Sequence, residues 1–202
     1  MDHPTLPEWI ETERLRIRAP REEDAEEVRE AIRATFETLR PWMPWAQRVP
    51  TLGEERARLA ESRRNIEARE DFPLFAFERS TGAFVVASGL HRPNWDVPSF
   101  ETGYWVRAGY EGRGYVTEAC RAIAAAAFDA LGAARVEIRC HDRNERSWRV
   151  AERAGFALEG VLRNERRHVD GTLADTRVYA RVRPAASVSA ICSSVSPRVS
   201  GA

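Results

Sequence analysis

The stretch GYEGRGYVTEACRAIAAAAF, Gly109 to Phe128, changes character half-way along. Glycines and tyrosines alternate with charges, and then an alanine-rich helix begins, read as Val116 to Leu131 with Gly132 as its stop. The first N–H groups of a helix lack intrahelical partners and carry about half a positive charge through the macrodipole. Glycine just ahead of that end lets an anion approach bare amides closely. Gly112-Arg113-Gly114 is therefore a candidate phosphate cradle, and Arg113 adds a mobile positive charge. A tight strand–helix junction also asks for glycine, so the turn alone leaves both readings open. A Walker loop is excluded because the chain has no lysine. The dinucleotide fingerprint lacks its third glycine, since Glu118 follows Val116-Thr117.

Working outward, ERLRIRA (Glu13 to Ala19) alternates like a half-buried strand with Leu15 and Ile17 on one face. Pro20 and an acidic first turn announce a helix, with Val28, Ile32 and Phe36 recurring every four residues. RPWMPWAQRVP, from Arg40 to Pro50, is a stiff aromatic loop that either packs or roofs a pocket. A second helix starts at Thr51 as N-cap. Phe72 to Ser80 and Ala83 to Leu90 read as a hairpin around Thr81-Gly82. SFETGYWVR, Ser99 to Arg107, reads as one further strand entering the glycine turn. RVEIRC is a strand, ERSWRVAERAG a short helix ending at Gly155, and the last two strands join at Asp170-Gly171. The order is β-α-α-β-β-β-α-β-α-β-β, one α+β domain over 1–183 with a mostly antiparallel sheet. From 184 to 202 the chain becomes small, serine-rich and nearly uncharged, the composition of a disordered tail.

The 31 basic and 31 acidic side chains cancel, which removes the electrostatic argument for nucleic acid or an anionic membrane. Cys120, Cys140 and Cys192 show no metal spacing, so no metal is expected and a reduced cytoplasmic protein is the plain reading. No apolar run is long enough to span a bilayer, and the N-terminus does not look like a signal peptide.

GYWV, GRGYVTEA, the N-x-x-S of Asn144 and Ser147, and ERAGFALEG together resemble the GNAT N-acetyltransferases, and more narrowly their ribosomal-protein (Rim) branch, over about Glu11 to Val182. The resemblance implies a splayed sheet holding acetyl-coenzyme A between parting strands. Tyr104, Trp105 and Val106 would pair with the pantetheine amides, and Gly112, Arg113, Gly114, Tyr115, Val116 and Thr117 would hold the pyrophosphate. Glu111 stands where the family's loop has Gln or Arg, and Val116 where it has Gly or Ala.

Acetyl transfer to an amine requires loss of a proton, stabilisation of an oxyanion and stabilisation of the departing thiolate. By position in the family, Glu101 is the expected base, the Val106 amide the oxyanion donor, and Ser147 the thiolate partner. Asn144 would orient the cofactor arm, or simply cap the helix that follows it. The tyrosine many relatives carry seven residues after the asparagine is Ala151 here. Arg166 stands where some relatives carry a catalytic glutamate, and the neighbouring Glu165 is expected on the opposite face of its strand. Cys140-His141-Asp142 raises a thiol–imidazole nucleophile, set aside because neighbours diverge and no second histidine is expected nearby. His91 and His168 are expected at the surface or behind the site. The expected activity is direct acetyl transfer to a primary amine, a protein N-terminus or a small molecule, by a monomer or homodimer. The rivals are amino-sugar or antibiotic acetylation and a non-catalytic acyl-coenzyme A sensor.

Overall fold

Nine strands form one mixed sheet in the computed structural model, which describes residues 4–183. The tail from 184, with Cys192, lies outside the described residues. The strands are β1 (Ile10–Glu11), β2 (Leu15–Arg18), β3 (Phe72–Glu78), β4 (Phe84–Asn94), β5 (Ser99–Glu101), β6 (Tyr104–Val106), β7 (Arg135–His141), β8 (Ala157–Arg167) and β9 (Leu173–Val182). Their order is β1-β2-β3-β4-β5-β7-β9-β8, with β6 also on β4, and only the β5–β7 pair is parallel. The helices are α1 (Ala25–Leu39), α2 (Leu52–Ala68), α3 (Tyr115–Ala130) and α4 (Glu145–Arg153).

Strand alternation divides the core between the two faces. Leu74, Ala76 and Val86 pack with Cys120, Ile123 and Ala127 of α3. Phe75, Phe77, Phe84 and Ala87 pack with Val28 and Ile32 of α1 and Leu59 of α2. On its inner face α3 presents Ala119, Ala124 and Ala127, all fully buried and only a methyl deep, so this helix lies close to the strands beneath it. Thr51 caps α2 as expected, accepting from the Glu54 N–H at 3.2 Å while Glu54 accepts from the Thr51 N–H at 2.8 Å.

Two expectations need correction. The first helix does not run from Pro20: a 3₁₀ turn at Glu22–Asp24 precedes α1. Asp24 causes this, because its buried carboxylate grips Arg18 at 2.6 and 2.7 Å and the Arg21 N–H at 2.7 Å. Ser99 to Arg107 is not one strand but β5 and β6, parted at Thr102-Gly103. Toward β4 the register is unbroken across the gap, with Glu101 opposite His91 and Tyr104 opposite Ser88. Toward β7 it ends: Glu101 pairs with Glu137, the Thr102 N–H reaches the Glu137 carbonyl at 2.7 Å, and β6 then follows β4 alone. The two halves of the sheet part at that point, with β6 on one side of the wedge and the outer half of β7 on the other.

Candidate active site

Backbone polarity makes the wedge a docking surface for an extended chain. The Arg107 N–H donates to Val85 of β4 and the Thr102 N–H to Glu137 of β7. Antiparallel alternation therefore turns the N–H groups of Tyr104 and Val106 toward the wedge and that of Trp105 toward β4. By that alternation neither the Tyr104 nor the Val106 N–H is directed at β4, and neither has a partner outside the β4 ladder among the described residues. The Trp105 side chain goes to the other face, on the Phe84 ring at 5.4 Å.

The mouth of the wedge is the turn into α3. Gly109, Gly112 and Gly114 sit at φ 87, 73 and 83, left-handed conformations that glycine alone adopts without strain. A Cβ at Gly112 would meet nothing within 4 Å, so the backbone conformation, not crowding, demands glycine there. Gly114 is the N-cap of α3, and the N–H groups from Glu111 through Thr117 have no partner among the described residues. Glu111 is folded back on its own turn, accepting from the Gly109 N–H at 2.6 Å. Val116 packs into the core rather than over the amides. Glu118, in the first turn of α3, is matched by Arg14 at 2.5 Å, by the Arg14 N–H at 3.0 Å and by Thr12 at 2.6 Å. Arg14 also donates to the Arg113 carbonyl at 2.9 Å and lies 4.7 Å over the Tyr115 ring. One guanidinium thus ties the β1–β2 turn to the glycine turn and cancels the only carboxylate in the first turn of α3.

At the inner end, α4 meets β6. Asn144 caps α4 by accepting from the Ser147 N–H at 3.2 Å. The Tyr104 phenol donates to the Ser147 carbonyl at 2.8 Å and accepts from the Ser147 hydroxyl at 3.3 Å. Burial raises the Tyr104 pKa well above the usual phenol range, so both hydroxyls keep their protons at neutral pH.

A cavity of about 680 Å³ opens on the opposite face, reaching Ser88, His91, Gly103 and Tyr104 at the apex of the wedge and roofed by Met43 and Trp45 of the aromatic loop. Trp45 lies 6.4 Å from Trp105. Its charged lining comprises the carboxylates of Glu54, Glu55, Glu61 and Asp71 against the guanidiniums of Arg48 and Arg58, four negative and two positive. Between carboxylates and guanidiniums the excess is two negative charges. Such a wall favours a cation.

A family model described as "Acetyltransferase (GNAT) domain" matches residues 14–157, over two thirds of the chain. The chain belongs to the GNAT acetyltransferases. It transfers acetyl groups from acetyl-coenzyme A to amines. It is 30% identical to "Putative ribosomal N-acetyltransferase YdaF" of Bacillus subtilis (strain 168) over 155 residues, covering 75% of this chain and 82% of that one. A solved ribosomal-protein-serine acetyltransferase from Vibrio cholerae, so named as putative, superposes at TM-score 0.73 with 25% identity, over 89% of this chain and 99% of that one. RimL, a ribosomal L7/L12 alpha-N-protein acetyltransferase solved with coenzyme A, shares the fold at TM-score 0.80 and 20% identity, over 87% and 98% of the two chains.

The Glu165–Arg166 pair and the surroundings of His141 in the acetyltransferase sit differently from expectation, whereas Glu101 ends β5 on the way into β6. Glu101 accepts from Arg92 at 2.8 Å and opens on a second cavity of about 160 Å³ with Glu137 and Arg139. Glu165 and Arg166 do not diverge: Asn164 at φ 51 and a register shift between Leu162 and Arg166 break the alternation. Both side chains then meet Thr176 at 2.7 Å. That threonine first, and then Arg139, hold the Glu165 carboxyl below the usual carboxylate range. A second histidine does reach His141: the His168 ring lies 4.6 Å away, with Trp42 against both. Burial pushes the Cys140 thiol up to about 11, so it carries no thiolate at neutral pH. Arg14 and the Tyr104 hydroxyl were not foreseen. Arg14 acts across 104 residues of sequence, but the missing tyrosine at Ala151 was a cue to look for another phenol. No cluster among the described residues is placed to hold a metal ion, and no described helix is long and apolar enough to cross a membrane.

Proposed function

We propose that this acetyltransferase modifies the N-terminal amine of a protein, in the manner named for its ribosomal relatives. The observation that carries the reading is the cavity at the apex of the wedge, with its excess of two carboxylates and its aromatic roof. Its volume lies within the range of specific ligand sites. The negative lining attracts an ammonium, and the Trp45–Trp105 wall supports apolar contact with the first side chains of a peptide.

In this reading the amides from Glu111 through Thr117 bind the cofactor pyrophosphate, and Arg113, 5.1 Å from the Tyr110 ring, swings over to cover it. The N–H groups of Tyr104 and Val106 pair with the pantetheine arm, and the Val106 N–H receives the developing oxyanion. The Ser147 and Tyr104 hydroxyls stabilise charge on the departing sulfur, and Asn144 holds Ser147 in place by capping α4. The setting is the cytoplasm.

The test is free-thiol release from acetyl-coenzyme A across a panel of ribosomal-protein N-terminal peptides, amino sugars and polyamines. The expected result is a kcat/KM at least tenfold higher for one or more peptides. Preference for an amino sugar would move the enzyme to the small-molecule class. Tight cofactor binding without turnover on any amine would leave only the sensor role.

A further inference from the structure

The large cavity contains a titratable pair not used above. Asp71, one residue before β3, holds its Oδ1 2.6 Å from Nδ1 of His91 on β4, and each side chain is about a third exposed (32% and 35%). A carboxylate on Nδ1 fixes the tautomer: Nδ1 carries the proton and Nε2 presents its lone pair. Gly89 decides where that lone pair sits. A Cβ built at Gly89 would come within 2.7 Å of His91 Cε1, 2.8 Å of Nε2 and 2.7 Å of the Phe72 carbonyl. Its backbone is not left-handed, so it is glycine for lack of room. The imidazole therefore folds back along β4 over Gly89, on the same face as Ala87. By register Gly89 lies opposite Gly103, where the strands part. A bulge between His91 and Asn94, with Arg92 at φ 50, interrupts the last residues of β4 just after the histidine. Bulges re-aim side chains beside functional sites.

We propose that His91 is the catalytic base of acetyl transfer, positioned by Asp71 and Gly89; the proposal rests on the reading of this cavity as the acceptor site. The incoming R–NH₃⁺ gives one proton to Nε2, which returns it to solvent. The amine lone pair then forms the C–N bond at the thioester carbonyl. As the C–S bond breaks, its electron pair leaves on sulfur, which takes the second proton lost by the nitrogen. The products are the N-acetyl amine, coenzyme A thiol and one proton.

The charges facing His91 come from several elements. Asp71 is bonded to it, and Glu101 lies opposite it on β5, paired with Arg92. Glu55, paired with Arg58, and Glu61 come from α2, and Glu54 in its first turn is paired with Arg48 of the aromatic loop. Arg69 is stacked on Trp95 at 3.9 Å. Carboxylates outnumber guanidiniums on the cavity wall, so an incoming ammonium is drawn toward the imidazole.

The experiment is the pH dependence of kcat/KM for the best amine of the panel, measured by thiol release on the full chain. The wild type is expected to show an acidic limb that depends on His91. His91→Gln should lower kcat about a hundredfold or more, abolish that limb, and regain rate as pH approaches the pKa of the amine itself, with Kd for coenzyme A unchanged. Asp71→Asn should lower kcat and move the limb to lower pH. Gly89→Ala should lower kcat with cofactor Kd unchanged. If His91→Gln folds poorly, the Asp71→Asn limb shift decides the matter. His91→Gln with kcat within threefold of wild type, an Asp71→Asn limb that does not move, or loss of the limb in Glu101→Gln instead, would overturn the assignment to His91 while leaving the acceptor reading intact. No turnover by the wild type with any amine would overturn both.

Discussion

Gly112→Ala isolates what the glycine turn contributes. At φ 73 an alanine pays about 1–2 kcal/mol for a left-handed backbone. The added Cβ meets nothing within 4 Å, so there is no steric term. Gly112 lies on an exposed turn outside any strand or helix, and the substituted turn can relax in the unbound protein. The strain then returns only when the amides must converge on a diphosphate. The cost therefore falls on binding: Kd for coenzyme A should rise roughly five- to thirtyfold, with little change in Tm. Gly82→Ala is the control. It has φ 75 and equally open surroundings, but closes the β3–β4 hairpin on the way between two buried strands. There the same strain should lower Tm by several degrees and leave Kd alone. Isothermal titration with coenzyme A, alongside thermal melts, reads both. Should Gly112→Ala bind coenzyme A as tightly as the wild type at full Tm, the turn is not where the diphosphate sits.

Three further outcomes are expected. Ser147→Ala and Tyr104→Phe should each lower kcat roughly ten- to a hundredfold, the worth of a hydrogen bond to a charged group, with Kd for coenzyme A nearly unchanged in titrations. Glu111→Gln should change that Kd less than twofold, because the carboxylate is already committed to the Gly109 N–H; a large gain in affinity would show that it repels the phosphates. Burial first, and then His168, hold His141 below the ordinary imidazole value of 6.5. The unfolded chain thus binds more protons there, so this contribution to stability is whole above pH 6.5 and is lost as pH falls through the lower folded value. His141→Asn should therefore flatten the fall in urea midpoint between pH 7 and 5.

Local signals carried most of the architecture. Thr51 with Glu54, Thr81-Gly82 and Asp170-Gly171 act within a few residues, and each ended or joined an element where it was expected. The features that went unread depend on partners far along the chain. Nothing in SFETGYWVR marks its division, because its register on β4 never changes; β7 departs from it instead. Arg14 with Glu118 and His141 with His168 meet only through the fold. Asn164 breaks the alternation of β8 in a left-handed conformation, which asparagine tolerates better than most residues but does not by itself announce inside a strand. Of the site, the glycine turn ahead of α3 and the Asn144–Ser147 cap followed from local residue pattern. The Tyr104 phenol and the surroundings of Glu101 required knowing what each side chain touches.

The parting of β6 from β7 also bears on how long the protein lasts in a cell. Two raw strand margins invite stray β-pairing with other chains, and a pantetheine arm laid between them would shield both. Occupancy at a hundredfold over Kd would add about 2.7 kcal/mol to the folded state. Survival of the polypeptide would then rise and fall with the supply of coenzyme A, making metabolic plenty a chaperone for the catalyst that consumes it.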